Sequence, residues 1–191
     1  MSTEQSKAQD VLTASSILRP TGADSARAGG VYSVECRDAS GNLKWADTFH
    51  NLVVNEGLQD MNSKYFAGSG YTAAWFLGLV TGPGSGTTFA AADTLASHAG
   101  WTENTNYTGN RKAVTFGTAT TADPSVISNS AAPSVFTMNA SAQTIAGAFL
   151  CSVNSGTSGI LFSAGDFTGG DKIVDSGDTL SVTYQFSLDA A

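Results

Sequence analysis

Leu180, Val182, Tyr184, Phe186 and Leu188 alternate with Ser181, Thr183, Gln185 and Ser187. A period of two sends the apolar side chains to one face of a strand and the polar ones to the other. Such a strand needs a second layer against its oily face, while its polar face meets water or a polar partner. At about 25 cal/mol per Å2, covering that face is worth several kcal/mol of transfer free energy. This one run commits the chain to a layered β architecture.

The stretch from Leu43 to Val80 adds the next constraint. Leu43, Trp45 and Phe49 alternate with Lys44, Thr48 and His50, which predicts a half-buried strand. Asn55 is placed to cap a short helix, with Leu58, Met61 and Tyr65 as its apolar stripe. Lys64 suits the negative helix pole, and Gly68 suits the terminator. Ala74 to Val80 is apolar on both faces, as a central strand would be. The expected unit is strand, helical crossover and buried strand, with the remaining strands assembled on it.

Val31 to Asp38 alternates with Tyr32, Val34 and Cys36 inward, and Ala39-Ser40-Gly41-Asn42 makes a tight turn into the Trp45 strand. Further strands are expected at Arg111 to Thr118, Ser134 to Asn139, Gln143 to Val153 and Gly159 to Ala164. In the Gln143 strand, Ile145, Gly147, Phe149 and Cys151 fall on one face. Thr120 to Pro133 reads as a Ser/Ala/Pro loop over a sheet edge, and Thr81 to Thr87 as an exposed glycine loop. The expected fold is mainly β: an antiparallel β-sandwich or jelly-roll-like domain over residues 31–191, with one short helix.

Residues 1–30 differ in kind. They are polar, with apolar anchors only at Val11-Leu12 and Ile17-Leu18, the latter followed by Arg19. Such a composition cannot build a core. The segment reads as an extended N-terminal arm that lies on a neighbouring subunit, with Ala28-Gly29-Gly30 as a flexible joint. An arm folded against its own domain is the alternative. Val11, Leu12, Ile17, Leu18 and Arg19 are its candidate partner-binding residues.

Charge narrows the function classes. Charged residues are 13% of the chain, against about 25% in an ordinary soluble domain. The surface is therefore Ser, Thr, Gly, Ala and Asn, which fits a protein that works outside a cell, one covered by partners, or simply a lightly charged β domain. A net charge of −7 and scattered basic residues argue against nucleic acid. No apolar run approaches the ~20 residues of a membrane-spanning helix. Met1-Ser2-Thr3-Glu4-Gln5 has neither the basic region nor the apolar core of a secretory signal, so cytosolic synthesis is expected.

Chemistry is hard to find. His50 and His98 are the only imidazoles, and no Gly-x-Ser-x-Gly elbow accompanies them. Cys36 and Cys151 sit on apolar stretches and read as buried free thiols. With the histidines at 50 and 98 they lack zinc-ligand spacing. The glycines at 82–86 lack the lysine of a phosphate loop. The run from Asp166 to Asp178 offers the oxygens and glycines a Ca2+ site uses, but strand-connecting turns account for it. No enzyme, metal or cofactor is expected. Trp101, in the irregular segment Asp93 to Glu103, either pins its loop or offers a ligand platform. Trp101 and Tyr107 are the candidate exposed contact residues.

The Gly41-Asn42 turn, the Trp45 strand, Asn51-Leu52-Val53-Val54 and the Gly57-Leu58 helix together resemble a family of tailed-bacteriophage virion structural proteins. The resemblance continues through Trp75-Phe76-Leu77-Gly78-Leu79, Asp93 to Glu103, Gly147-Ala148-Phe149-Leu150 and Ser176 to Tyr184, covering roughly residues 31–187. It implies a virion surface component of the head decoration, cement or fibre-base type, without enzymatic activity. The expected role is a decoration or cement subunit that binds the major capsid protein or other virion proteins. It would be made in the host cytoplasm, act in the virion and associate as a homo-oligomer, dimer or trimer. A head-fibre base, a tail or tail-fibre adaptor, and a carbohydrate-binding β-sandwich for host attachment are the alternatives.

Overall fold

The structure is a computed structural model that describes residues 26–71, 74–82 and 87–190. Its elements in chain order are β1 (Ala26–Arg37), β2 (Leu43–His50), β3 (Leu52–Val53), α1 (Asn55–Tyr65), β4 (Phe76–Thr81) and β5 (Thr102–Asn104). There follow β6 (Lys112–Ala113), β7 (Ser125–Ser128), β8 (Ser134–Thr137), β9 (Gln143–Cys151), β10 (Leu161–Asp166), β11 (Lys172–Val174) and β12 (Thr179–Ala190). All pairings among them are antiparallel. One sheet runs β2-β1-β12, and β7 and β8 share the far edge of β12. The other runs β3-β10-β9-β4-β5, extended by β11 against β9 and β6 against β4.

The two sheets face each other across the main core. Tyr32, Val34, Phe49, Val182 and Tyr184 meet Leu77, Leu79, Ala148 and Leu150 there. This is an antiparallel β-sandwich, and Tyr184 is fully buried in it, as the β12 alternation requires. A second core lies on the opposite face of the β9 sheet, where Val80, Phe149, Cys151, Leu161 and Ala164 are covered by Leu95, Trp101 and Phe89. The β9 sheet is thus buried on both faces. That is why β4 reads as apolar on both.

The strand–helix–strand unit is divided between the two layers. β2 belongs to the first sheet and β3 to the second, and the chain changes sheets at Asn51. β10 and β9 stand between β3 and β4, so α1 does not cross between neighbouring strands. α1 begins at Asn55 with Val54 as its cap residue and no side-chain cap bond. Asn55 is the first helical residue and not the cap, and its N–H donates to the Ala91 carbonyl at 2.8 Å. Only part of the expected stripe turns inward: Met61 packs on the core, whereas Leu58 and Tyr65 are exposed. Gly57 takes the buried position because its backbone lies directly against Phe162. Gly68 ends the helical segment in the left-handed region, φ 68°.

Three boundaries shift for identifiable reasons. Ala28-Gly29-Gly30 is strand, since Ala26 to Gly30 pairs with Phe186 to Ala190 and the ladder needs no side chains. A Cβ on Gly30 would stand 2.7 Å from the Tyr184 hydroxyl, so this glycine serves a close approach. Ala26 to Gly30 thus belong to the sheet, while the arm anchors Val11, Leu12, Ile17, Leu18 and Arg19 lie outside the described residues. In β9, Thr81 pairs with Ile145 but Val80 pairs with Gly147, so Ala146 is an extra residue. This bulge turns Ile145 to the main core while Phe149 and Cys151 face the second one, and they do not share a face. Finally, the expected loop at 120–133 contains β7, and the acidic run contains β11.

Candidate functional site

Trp101 and Tyr107 are buried rather than exposed. Trp101 is 6% exposed, with its ring 5.1 Å from Phe149 and 5.7 Å from Phe89. Its indole N–H donates to Asp93 Oδ2 at 3.1 Å. His98 stacks on the same indole at 3.8 Å, and its Nδ1 lies 3.0 Å from the Trp101 carbonyl. Tyr107 is 3% exposed and meets Phe136 edge-on at 4.8 Å. Burial pushes its hydroxyl pKa upward, with the Glu103 carboxylate adding to it. Both rings are wall material. Their fate depends on the loop over β9 and on β8, which are distant in sequence.

Among the described residues, several polar groups that could carry chemistry are engaged in structural contacts. Arg111 holds Glu103 in a two-pronged pair at 2.8 and 2.7 Å, donates to the Val153 carbonyl and lies over the Phe149 ring. Asp178 accepts from Lys44 Nζ at 2.6 Å and from the Asp175 backbone at 2.8 Å. Asp175 accepts from Lys44 and from Ala142 N–H, and both bonds lower its carboxyl pKa, the Ala142 bond most. Lys172 turns to Asp47 at 3.5 Å. In the acidic run Asp175 and Asp178 share Lys44, and among the described residues no three metal-binding side chains converge. Cys36 and Cys151 are buried and unbridged; burial holds both thiols up, Cys36 to about 12.

Where the two sheets join, a hydroxyl chain fills the interior. Tyr32 Oη lies 2.8 Å from Ser163 Oγ, which donates to Tyr184 Oη at 3.3 Å. Asn51 Nδ2 donates to the same Tyr184 oxygen at 3.0 Å. Burial raises both tyrosine pKa values well above the ordinary range, so these groups stay protonated. The chain fixes the point at which Asn51 crosses between sheets.

Beside it the sandwich opens. The inward row of β12 is covered as far as Tyr184; Phe186 is half-buried and Leu188 exposed. A cleft of about 200 Å3 lies there, lined by Met61, Trp75, Phe116, Ile127, Phe162 and Phe186. Asp60 and Lys64 of α1 are its charged lining. Trp75 stands at the edge of the core, edge-on to Phe162 at 5.3 Å, and is not fully enclosed. Past the cleft, Tyr65, Phe66 and Tyr71 are 83%, 79% and 65% exposed. Tyr65 and Phe66 contact each other edge-on at 4.9 Å. Neighbouring exposed aromatics beside an apolar cleft make a candidate contact surface. The expected stripe residue Tyr65 belongs to it. The segment 62–71 had offered only a helix end, because exposure at that end depends on how α1 sits against β10.

Chemically, this surface can bury apolar area and little else. No protein family model, no characterised protein and no solved structure matches the chain.

Proposed function

We propose that the chain is a non-enzymatic structural subunit of a tailed-phage virion, seated on the capsid surface as a decoration or cement protein that stabilises the particle. One observation carries the reading: a contact surface of Tyr65, Phe66 and Tyr71 beside an apolar cleft, on a domain that engages Lys44 with Asp178 and Arg111 with Glu103 in structural pairs. Aromatic rings with polar tips are the side chains that anchor protein–protein contacts. The thinly charged remainder of the surface lowers the desolvation that contact with the major capsid protein would require. Self-association as a dimer or trimer multiplies such contacts and raises occupancy through effective concentration. A sugar-binding role loses its two named platforms, since Trp101 and Tyr107 are interior.

The test is co-sedimentation of the purified chain with tailed-phage particles that lack it. Saturable binding at a fixed ratio to capsid subunits supports the reading. Binding that never saturates, or no binding at micromolar concentration, overturns it.

A further inference from the structure

The cleft has an apolar lining and lies beside the point at which the described chain begins. Gly30 pairs with Phe186, a cleft residue, and Ala26 lies four residues upstream on the same strand. At about 3.3 Å per residue that is roughly 13 Å. The residues before Ala26 carry the apolar pairs Val11-Leu12 and Ile17-Leu18, followed by Arg19. Leu18 lies eight positions before Ala26, a stretch that spans at most about 26–29 Å. The nearer pair can therefore turn back to the cleft, and the farther pair has a longer tether.

Charge agrees with reach. Asp60 lines the cleft and forms an i,i+4 ion pair with Lys64 at 3.9 Å, longer than a hydrogen bond. Lys64 is itself bonded to the Gly70 carbonyl. The Asp60 side chain is 9% exposed at the cleft wall, where an incoming guanidinium would share it with Lys64, and Arg19 directly follows the apolar pair.

We propose that the cleft between α1 and the exposed end of β12 is the seat of this chain's own residues 11–19. Ile17 and Leu18 fill the apolar lining around Met61, Trp75 and Phe186, and Arg19 pairs with Asp60. A short tether gives the segment an effective concentration in the millimolar range, which favours its own cleft over a neighbour's. The proposal concerns the isolated chain and stands apart from any role on a particle.

Hydrogen exchange on the full chain tests it, alongside the double substitution Ile17→Ser/Leu18→Ser and the cleft substitution Met61→Glu. Amides of residues 14–19 should exchange at least tenfold more slowly than in the unfolded chain, at a rate independent of protein concentration. Either variant should abolish that protection. The arm variant should also increase binding of the apolar dye anilinonaphthalene sulfonate several-fold. If residues 14–19 exchange at unfolded rates in the parent chain, the proposal fails. Protection that appears only as light scattering detects dimers would assign the segment to a second copy and overturn the tethered form. Loss of protection in the arm variant alone, with Met61→Glu folded by circular dichroism and unaffected, would place the segment elsewhere.

Discussion

The indole N–H of Trp101 donates to the buried carboxylate of Asp93 across 3.1 Å, and this bond holds the covering segment on the outer face of the β9 sheet. Asp93 Oδ2 also accepts from Ala90 N–H at 3.0 Å, so one carboxylate fastens both ends of the turn. Trp101→Phe keeps most of the ring and removes the donor. It should cost about 1–3 kcal/mol, the penalty for an under-satisfied buried acceptor. Trp101→Ala should cost about 3–5 kcal/mol. Urea denaturation measures both, and a Trp101→Ala variant as stable as the parent would return this ring to a binding role.

Gly57 offers a test in which two effects oppose. Alanine is the better helix former by about 1 kcal/mol. A Cβ at Gly57, however, would stand 2.5 Å from the Phe162 carbonyl oxygen and 3.0 Å from its Cα, and backbone atoms cannot swing aside. Displacing α1 from β10 should outweigh the propensity gain, with a net loss of about 1–3 kcal/mol. A Gly57→Ala variant with a raised denaturation midpoint would show that α1 is loosely seated.

The pair between buried Arg111 and partly exposed Glu103 should be costly to break from the arginine side. Arg111→Ala leaves Glu103 without its partner and opens space over Phe149, so a loss of about 3–5 kcal/mol is expected. Arg111→Met, which keeps the packing, should lose less. The two denaturation midpoints check the order.

Alkaline pH should weaken the fold before acid chemistry at any site matters. Burial, and after it the Asp178 charge, raises the Cys36 thiol from 9.0 to about 12. The folded chain therefore keeps a proton that the unfolded chain releases. This contribution is full below pH 9.0 and is lost as the pH rises towards about 12. Tyr32 and Tyr184, raised from 10.0 chiefly by burial, act in the same direction. The denaturation midpoint should fall steadily from pH 9, and native protein at pH 8 should leave a thiol reagent unreacted. Rapid titration of either cysteine under native conditions would contradict this.

The parts of the fold legible in the chain are those whose cause is local. The β12 alternation, the Gly41-Asn42 turn and the doubly apolar β4 each carry their physics within a few residues. The change of sheet at Asn51 was not legible, because its cause is the hydroxyl chain through Tyr184 and Ser163, more than 100 residues away. The Ala146 bulge likewise arises from pairing with β4, and a strict period of two misplaces Ile145. Trp101 and Tyr107 looked available because each lies in an irregular segment. The second core that encloses Trp101 exists only once β9 has a covering layer. Of the candidate surface, Tyr65 was visible as an apolar residue, but its outward direction was not.

Replacing Tyr65 and Phe66 by serine should separate surface from fold. Both rings are largely exposed, so stability should change by no more than about 0.5 kcal/mol each. Particle occupancy should fall at least tenfold if these rings are the anchor. Unchanged occupancy would move the contact to another face.

The most direct measurement is a pair of electron-microscopy maps of tailed-phage particles assembled with and without the chain. The account predicts difference density on the outer capsid surface that accommodates a 19.5 kDa two-sheet domain, with the Tyr65–Phe66 end against the major capsid protein. Difference density confined to the tail, or none on the particle, would contradict it.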